Sequence, residues 1–127
     1  MPRNIIESKN APAAVGPYSQ AVWHGDTLFL SGQTPLVPET GVLASGDIGA
    51  QTEQAFRNIK AVLSEAGLSL ENAVKLTVYL TSMDDFKAMN AVYEQQLSPP
   101  YPARTTIAVA ALPVGASVEI EVVAKRG

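Results

Sequence analysis

Arg104 follows Pro100-Tyr101-Pro102-Ala103 and opens a run of small and apolar residues. The prolines stiffen the approach, so the direction of the guanidinium is largely preset. A planar guanidinium fits a carboxylate through two parallel hydrogen bonds. The same side chain at a strand end also suits an ion pair with Glu119 or Glu121, or plain solvation, and isolated surface pairs are common. The residues alone favour that second use and leave the first open.

Glu119 and Glu121 alternate with Val118, Ile120 and Val122. They therefore share one face of a strand, where a carboxylate can orient water or move a proton, or simply face solvent with Lys125. Period two also puts Arg104 and Thr106 on one side of their own strand, but the register that relates this side to Glu119 is not in the sequence. Asn90 is an amide on an otherwise apolar helical stripe. Unpaired burial would cost a few kcal/mol, so it should hold a backbone group or, less often, a ligand. Gly16-Pro17-Tyr18-Ser19 is a turn that presents a phenol, either for a substrate or as a half-buried packing residue. Ser31-Gly32-Gln33 ends a strand with backbone that a ligand can approach closely, or with an ordinary turn.

Other chemistries are disfavoured. His24 is the only histidine and lies beside a turn, which leaves neither a metal site nor a Ser-His-Asp machine much support. There is no cysteine, hence no disulfide, zinc-thiolate site or thiol nucleophile. Neither G-x-G-x-x-G nor a Walker A loop occurs, which argues against nucleotide cofactors. The net charge is −3, and only Lys125-Arg126 are adjacent basic residues, a poor match for phosphate neutralisation.

The elements that must position these residues follow from periodicity. The 127 residues, 46% hydrophobic and 17% charged, suit one globular domain over 1–127. Ala21-Val22-Trp23-His24 and Thr27-Leu28-Phe29-Leu30-Ser31 flank Gly25-Asp26 and read as a hairpin. Thr34 to Gly46 reads as a loop. Asp47 should cap a helix running to about Ala66, with Ala55, Phe56, Ile59, Val62 and Leu63 on its apolar stripe and Gly67 as the stop. Val74 to Thr81 alternates as a two-faced strand. Ser82-Met83-Asp84-Asp85 looks like a capping box for a second helix bearing Phe86, Met89, Asn90, Tyr93 and Leu97. Arg104 to Ala110 and Val118 to Ala124 are the last strands, with a further short strand expected near Ile5. The order predicts an α/β sandwich, both helices on one sheet face. Lys75, Thr77 and Tyr79 are too mixed for a fully wetted second face and hint at burial between subunits. The first residues lack a signal-peptide core, and Ile107 to Val114 is too short to span a bilayer. A cytoplasmic protein is expected.

Taken in order, Ala11-Pro12-Ala13-Ala14-Val15-Gly16-Pro17-Tyr18-Ser19-Gln20, Ser31-Gly32-Gln33-Thr34-Pro35, Asn90-Ala91-Val92-Tyr93, Pro102-Ala103-Arg104 and Glu119-Ile120-Glu121 closely resemble the RidA (YjgF-type) family over nearly the whole chain. The resemblance implies a chorismate-mutase-like α/β (α+β) domain with a mixed β-sheet. It also implies a homotrimer with ligand sites between subunits, and no cofactor. The implied activity is hydrolysis of 2-aminoacrylate, 2-iminopropionate and 2-iminobutyrate, compounds released by pyridoxal-phosphate dehydratases, to 2-keto acids and ammonia.

Carried over by position, Arg104 grips the substrate carboxylate, Glu119 is the acid near the attacking water and Tyr18 is the tyrosine of the pocket. Ser31, Gly32 and Asn90 line or support the cleft. Thr106 stands where some members have cysteine, so a thiol role is absent, although its backbone N–H remains available to a ligand. Two other classes compete on this scaffold: a non-catalytic metabolite-binding or chaperone-like module, and an endoribonuclease or translation inhibitor. The acidic balance disfavours the latter.

Overall fold

The computed structural model describes residues 2–127. Six strands form one sheet in the order β1-β2-β3-β6-β4-β5: β1 Asn4–Ile6, β2 Ala21–His24, β3 Thr27–Leu30, β4 Ala73–Leu80, β5 Ala103–Ala108 and β6 Val118–Lys125. All neighbours are antiparallel except β4 and β5, which run parallel. Parallel neighbours need a crossover, and helix α2 (Phe86–Gln96) supplies it. Helix α1 (Ile48–Glu65) packs beside α2.

The expected hairpin forms, with Gly25 at φ 59° in its turn. Asp47 caps α1 by accepting the Ala50 N–H at 3.0 Å. The capping box does not form as expected. Ser82 accepts the Asp84 N–H at 3.1 Å and caps a short 3₁₀ turn, Met83–Asp85, and α2 begins only at Phe86. Strand β5 ends at Ala108, two residues before the expected Ala110, because the chain leaves the sheet where β4 ends.

The core lies between the helices and one face of the sheet. Leu76, Val78 and Leu80 of β4 and Val118, Ile120 and Val122 of β6 are buried there with Phe56, Ile59, Val62 and Leu63 of α1 and Met89 of α2. Phe56 and Tyr93 meet edge to face across the two helices, centroids 5.9 Å apart. The opposite face carries the alternate residues and stays partly open, with Phe29 and Ile107 exposed on it.

Asn58, fully buried on α1, was not singled out by its sequence pattern. Its amide donates to the carbonyls of Thr34 at 3.0 Å and Leu36 at 2.8 Å and accepts from Gln54 Nε2 at 3.0 Å, which ties the 34–46 loop to the helix. Asn58→Ala would leave the Leu36 carbonyl and the Gln54 Nε2 group without this partner near the core, while the Thr34 carbonyl keeps the Leu36 N–H. It should destabilise the protein by about 1–3 kcal/mol, read in urea unfolding as a lower midpoint with an unchanged slope. An unchanged midpoint would show that water replaces the amide without loss.

Candidate active site

The register of β4 decides where each candidate residue goes. Arg104 and Thr106 pair with Leu76 and Val78, whereas Glu119 and Glu121 pair with Tyr79 and Thr77. Paired residues share a face, and β4 alternates. Arg104 and Thr106 therefore face the helices, and Glu119 and Glu121 face the open side. Within one chain the sheet separates the cation from the acid, and the expected pairing of Arg104 with Glu119 or Glu121 does not occur.

On the helix side, the Arg104 guanidinium carbon sits 4.6 Å from the Tyr93 ring centroid and 5.5 Å from that of Phe86. Arg104 Nη1 donates to Asn90 Oδ1 at 2.6 Å, and Asn90 Nδ2 donates on to Glu94 Oε1 at 3.3 Å. Phe86, Asn90 and Tyr93 lie at helical spacing on one stripe of α2, so a single helix face supplies both rings and the amide. Asn90 thus holds the Arg104 side chain, not the backbone group that general odds favoured. No carboxylate pairs with Arg104 among the described residues. A cavity of about 360 Å³ opens there, lined by Asn90, Tyr93, Glu94, Tyr101, Pro102 and Arg104. Tyr93 Oη and Thr106 Oγ1 are buried without a hydrogen-bond partner among the described residues. Burial pushes the Tyr93 phenol up, and the Arg104 charge pulls it part of the way back. Tyr93 and Phe86 looked like core residues in the sequence. Their aromatic spacing before a strand-opening arginine was the available signal.

On the open side, Glu119 lies against Gly32. A Cβ built on Gly32 would collide with the Glu119 carboxylate and stand 2.8 Å from its Cδ. Gly32 is therefore the residue that makes room for the acid. It sits where the β3–β6 pairing slips by one residue, between Phe29↔Val123 and Gln33↔Ile120. Ser31 holds the segment that leads into β2: its N–H donates to the Gln20 carbonyl at 2.9 Å and its hydroxyl to the Ser19 carbonyl at 2.6 Å. That pair lays Tyr18-Ser19-Gln20 alongside Ser31. Tyr18 is 54% exposed and borders a second cavity of about 460 Å³. Burial raises the Glu119 carboxyl above its ordinary value, and the neighbouring Glu121 raises it further. Tyr79 Oη donates to Glu121 Oε1 at 2.6 Å. That bond, with burial, pushes the Tyr79 phenol up to about 12.

The candidate residues thus fall into two groups, Arg104 with Asn90 and Thr106 on the helix side and Glu119 with Gly32 on the open side, while Tyr18 borders a separate cavity that neither group lines. His24 ends β2 at the surface, and no group of three or more His, Cys, Asp or Glu among the described residues is placed to hold a metal ion. Nor is any helix among them long and apolar enough to cross a membrane.

This fold and motif order match the family described as Endoribonuclease L-PSP over residues 8–126. Among relatives, a goat (Capra hircus) protein named 2-iminobutanoate/2-iminopropanoate deaminase is 46% identical, covering 98% of this chain and 91% of its own. Among solved structures, RidA from an Antarctic Psychrobacter is 50% identical with a TM-score of 0.93, covering 98% of this chain and 100% of that one. TdcF from E. coli, solved with bound serine, is 40% identical with a TM-score of 0.91, covering 98% and 99%. The chain belongs to the RidA (YjgF-type) family.

The environment of Glu119 sets a direction for stability against pH. Its folded-state carboxyl holds a proton more tightly than the unfolded one. As pH rises through the ordinary carboxylate range the unfolded chain ionises first, and the folded state loses ground until its own carboxyl ionises. Glu119→Gln should therefore raise Tm at about pH 8, and the gain should fade below the unfolded carboxylate value, at about pH 3. Equal gains at both pH values would show that the effect is packing and not charge.

Proposed function

We propose that this protein hydrolyses reactive 2-imino and 2-enamine acids (2-aminoacrylate, 2-iminopropionate, 2-iminobutyrate) to 2-keto acids and ammonia. The observation that carries this reading is the unpaired Arg104 guanidinium, braced by Tyr93, Phe86 and Asn90 at the mouth of a cavity. A fixed cation without an internal anion is a receptor for a small external one. The deaminase named among its relatives and the serine bound to TdcF, itself an amino acid carboxylate, support the same reading.

Residues 1–127 act as one domain, and the working assembly is a homotrimer in which the Arg104 half-site of one protomer faces the Glu119 half-site of its neighbour. Two observations support this. The halves lie on opposite faces of one sheet, and the open face keeps Ile5 and Phe29 about half exposed. Arg104 binds the substrate carboxylate and fixes the orientation of the C=N carbon. Glu119 takes a proton from water as it adds to that carbon, giving a carbinolamine. The proton returns to nitrogen, and the C–N bond breaks as the carbinolamine hydroxyl gives up its proton and forms the C=O bond, leaving ammonia and the keto acid. Tyr18 borders the pocket, Gly32 and Ser31 hold the acid in place, and the Thr106 backbone contacts the bound anion. The site lies in the cytoplasm, where pyridoxal-phosphate dehydratases generate these substrates.

With 2-iminobutyrate generated in situ by threonine dehydratase, Arg104→Ala should lower kcat/KM by about 100-fold or more, the loss expected for charge-assisted hydrogen bonds to a carboxylate. Full activity in that variant would remove the basis of the reading. A subunit-mixing experiment tests the composite site. Arg104→Ala and Glu119→Gln, each inactive alone, should recover about a quarter of wild-type activity when dissociated and reassembled together, the statistical share of interfaces with both residues intact. No recovery would place both residues in one protomer's site. Purified protein should leave RNA intact under the same conditions, which separates this activity from the endoribonuclease in the family's description.

A further inference from the structure

The open face of the sheet carries two carboxylates where the proposed reaction uses one. Glu119 and Glu121 are two residues apart on β6 and point the same way. Glu121 is not free to swing into solvent. Tyr79, which stands directly across the ladder from Glu119, reaches diagonally and donates its hydroxyl to Glu121 Oε1 at 2.6 Å. The diagonal bond is one that a long aromatic side chain can make across neighbouring strands. It holds Glu121 beside Glu119 on a half-buried surface.

From this arrangement we propose that Glu121, anchored by Tyr79, is a positioning residue that makes the Glu119 carboxylate a better proton acceptor. The inference rests on the reading of Glu119 as the acid near the attacking water. A second negative charge fixed along the same face makes ionisation of Glu119 harder, which suits a group that must accept and return a proton. Burial of Glu119 acts in the same direction. In the proposed trimer the neighbour's Arg104 acts the other way, in wild type and variants alike; within one protomer the other groups on this face do little to oppose the effect. From β4, Lys75 faces the same side but pairs with Val123, beyond Glu121 from Glu119. Lys125, at the end of β6, pairs with Thr27 and is farther still. Strand β3 contributes Thr27 and Phe29, the turn after it Gly32, and β5 Thr105 and Ile107, none of which titrates. His24 of β2 pairs with Thr27 at the far end beside Lys125.

Glu121→Gln separates charge from shape, because the amide oxygen can still accept from Tyr79. Tyr79→Phe keeps the charge and releases the anchor. With ¹³C-labelled glutamate and Glu119→Gln to assign the resonance, the Glu119 carboxyl is titrated directly in the assembled protein. Its midpoint should move to lower pH in Glu121→Gln and move the same way, by less, in Tyr79→Phe. The acid limb of the kcat/KM profile should follow. A Glu119 midpoint that stays at its wild-type value in Glu121→Gln overturns the proposal. Should that variant fail to fold, an unmoved midpoint in Tyr79→Phe overturns it equally. A midpoint that moves as stated in a protein without imine hydrolysis supports the coupling and sinks the deaminase reading, so the two fail separately.

Discussion

A residue on a β-strand can face only one side of its sheet, and here that rule allots the chemistry. Strand β4 sits between β5 and β6 and presents Leu76, Val78 and Leu80 to the helices and Thr77 and Tyr79 to the other side. Whatever pairs with the first set is drawn toward α1 and α2, and whatever pairs with the second is left on the open face. Arg104 belongs to the first set and Glu119 to the second. A shift of one residue in either ladder would bury a carboxylate among the core leucines or turn the arginine away from Tyr93. The apolar residues that fix the core therefore fix the geometry of the site too.

The two halves are built differently because their charges need different surroundings. Arg104 keeps its charge in any protein setting, so the fold has only to aim it. Two rings, an amide and a proline-stiffened approach do so without neutralising it. In the proposed reaction Glu119 changes protonation state, and its surroundings act on the proton. Partial burial, a nearby carboxylate and the bare backbone of Gly32 all bear on that one group. Gly32 contributes by having no side chain, which is why its role could not be read from its own chemistry.

Much of this organisation was legible in the sequence. The β2–β3 hairpin followed from Gly25-Asp26 between β-formers, α1 from its apolar stripe and the Asp47 cap, and the two-faced β4 from strict alternation. Motif order pointed to Arg104, Glu119, Tyr18, Ser31, Gly32 and Asn90. Three things could not be read. Register joins residues far apart in the chain, so the opposite facing of Arg104 and Glu119 appears only once β4 is paired on both sides. The loop partners of Asn58 are carbonyls, which every residue has, and so they leave no mark in composition. The aromatic brace under Arg104 uses Phe86 and Tyr93, whose helical spacing is the same as that of ordinary core residues. The capping box at the start of α2 did not form for a local reason, since Ser82 caps a 3₁₀ turn that absorbs the residues the box would have used.

Separation of the cation from the acid also answers a difficulty that any site with both must meet. Placed together in one chain and free of substrate, a guanidinium and a carboxylate attract each other, and an acid beside a guanidinium gives up its proton more easily. Arg104 would then be occupied and Glu119 would be a weak base. With the sheet between them, each keeps the property that the proposed reaction needs. If they meet only across a protomer boundary, the substrate carboxylate can occupy the guanidinium while the reacting carbon reaches the acid. In that arrangement the substrate anion shields the acid from the cation, and the site is complete only when both the neighbour and the ligand are in place.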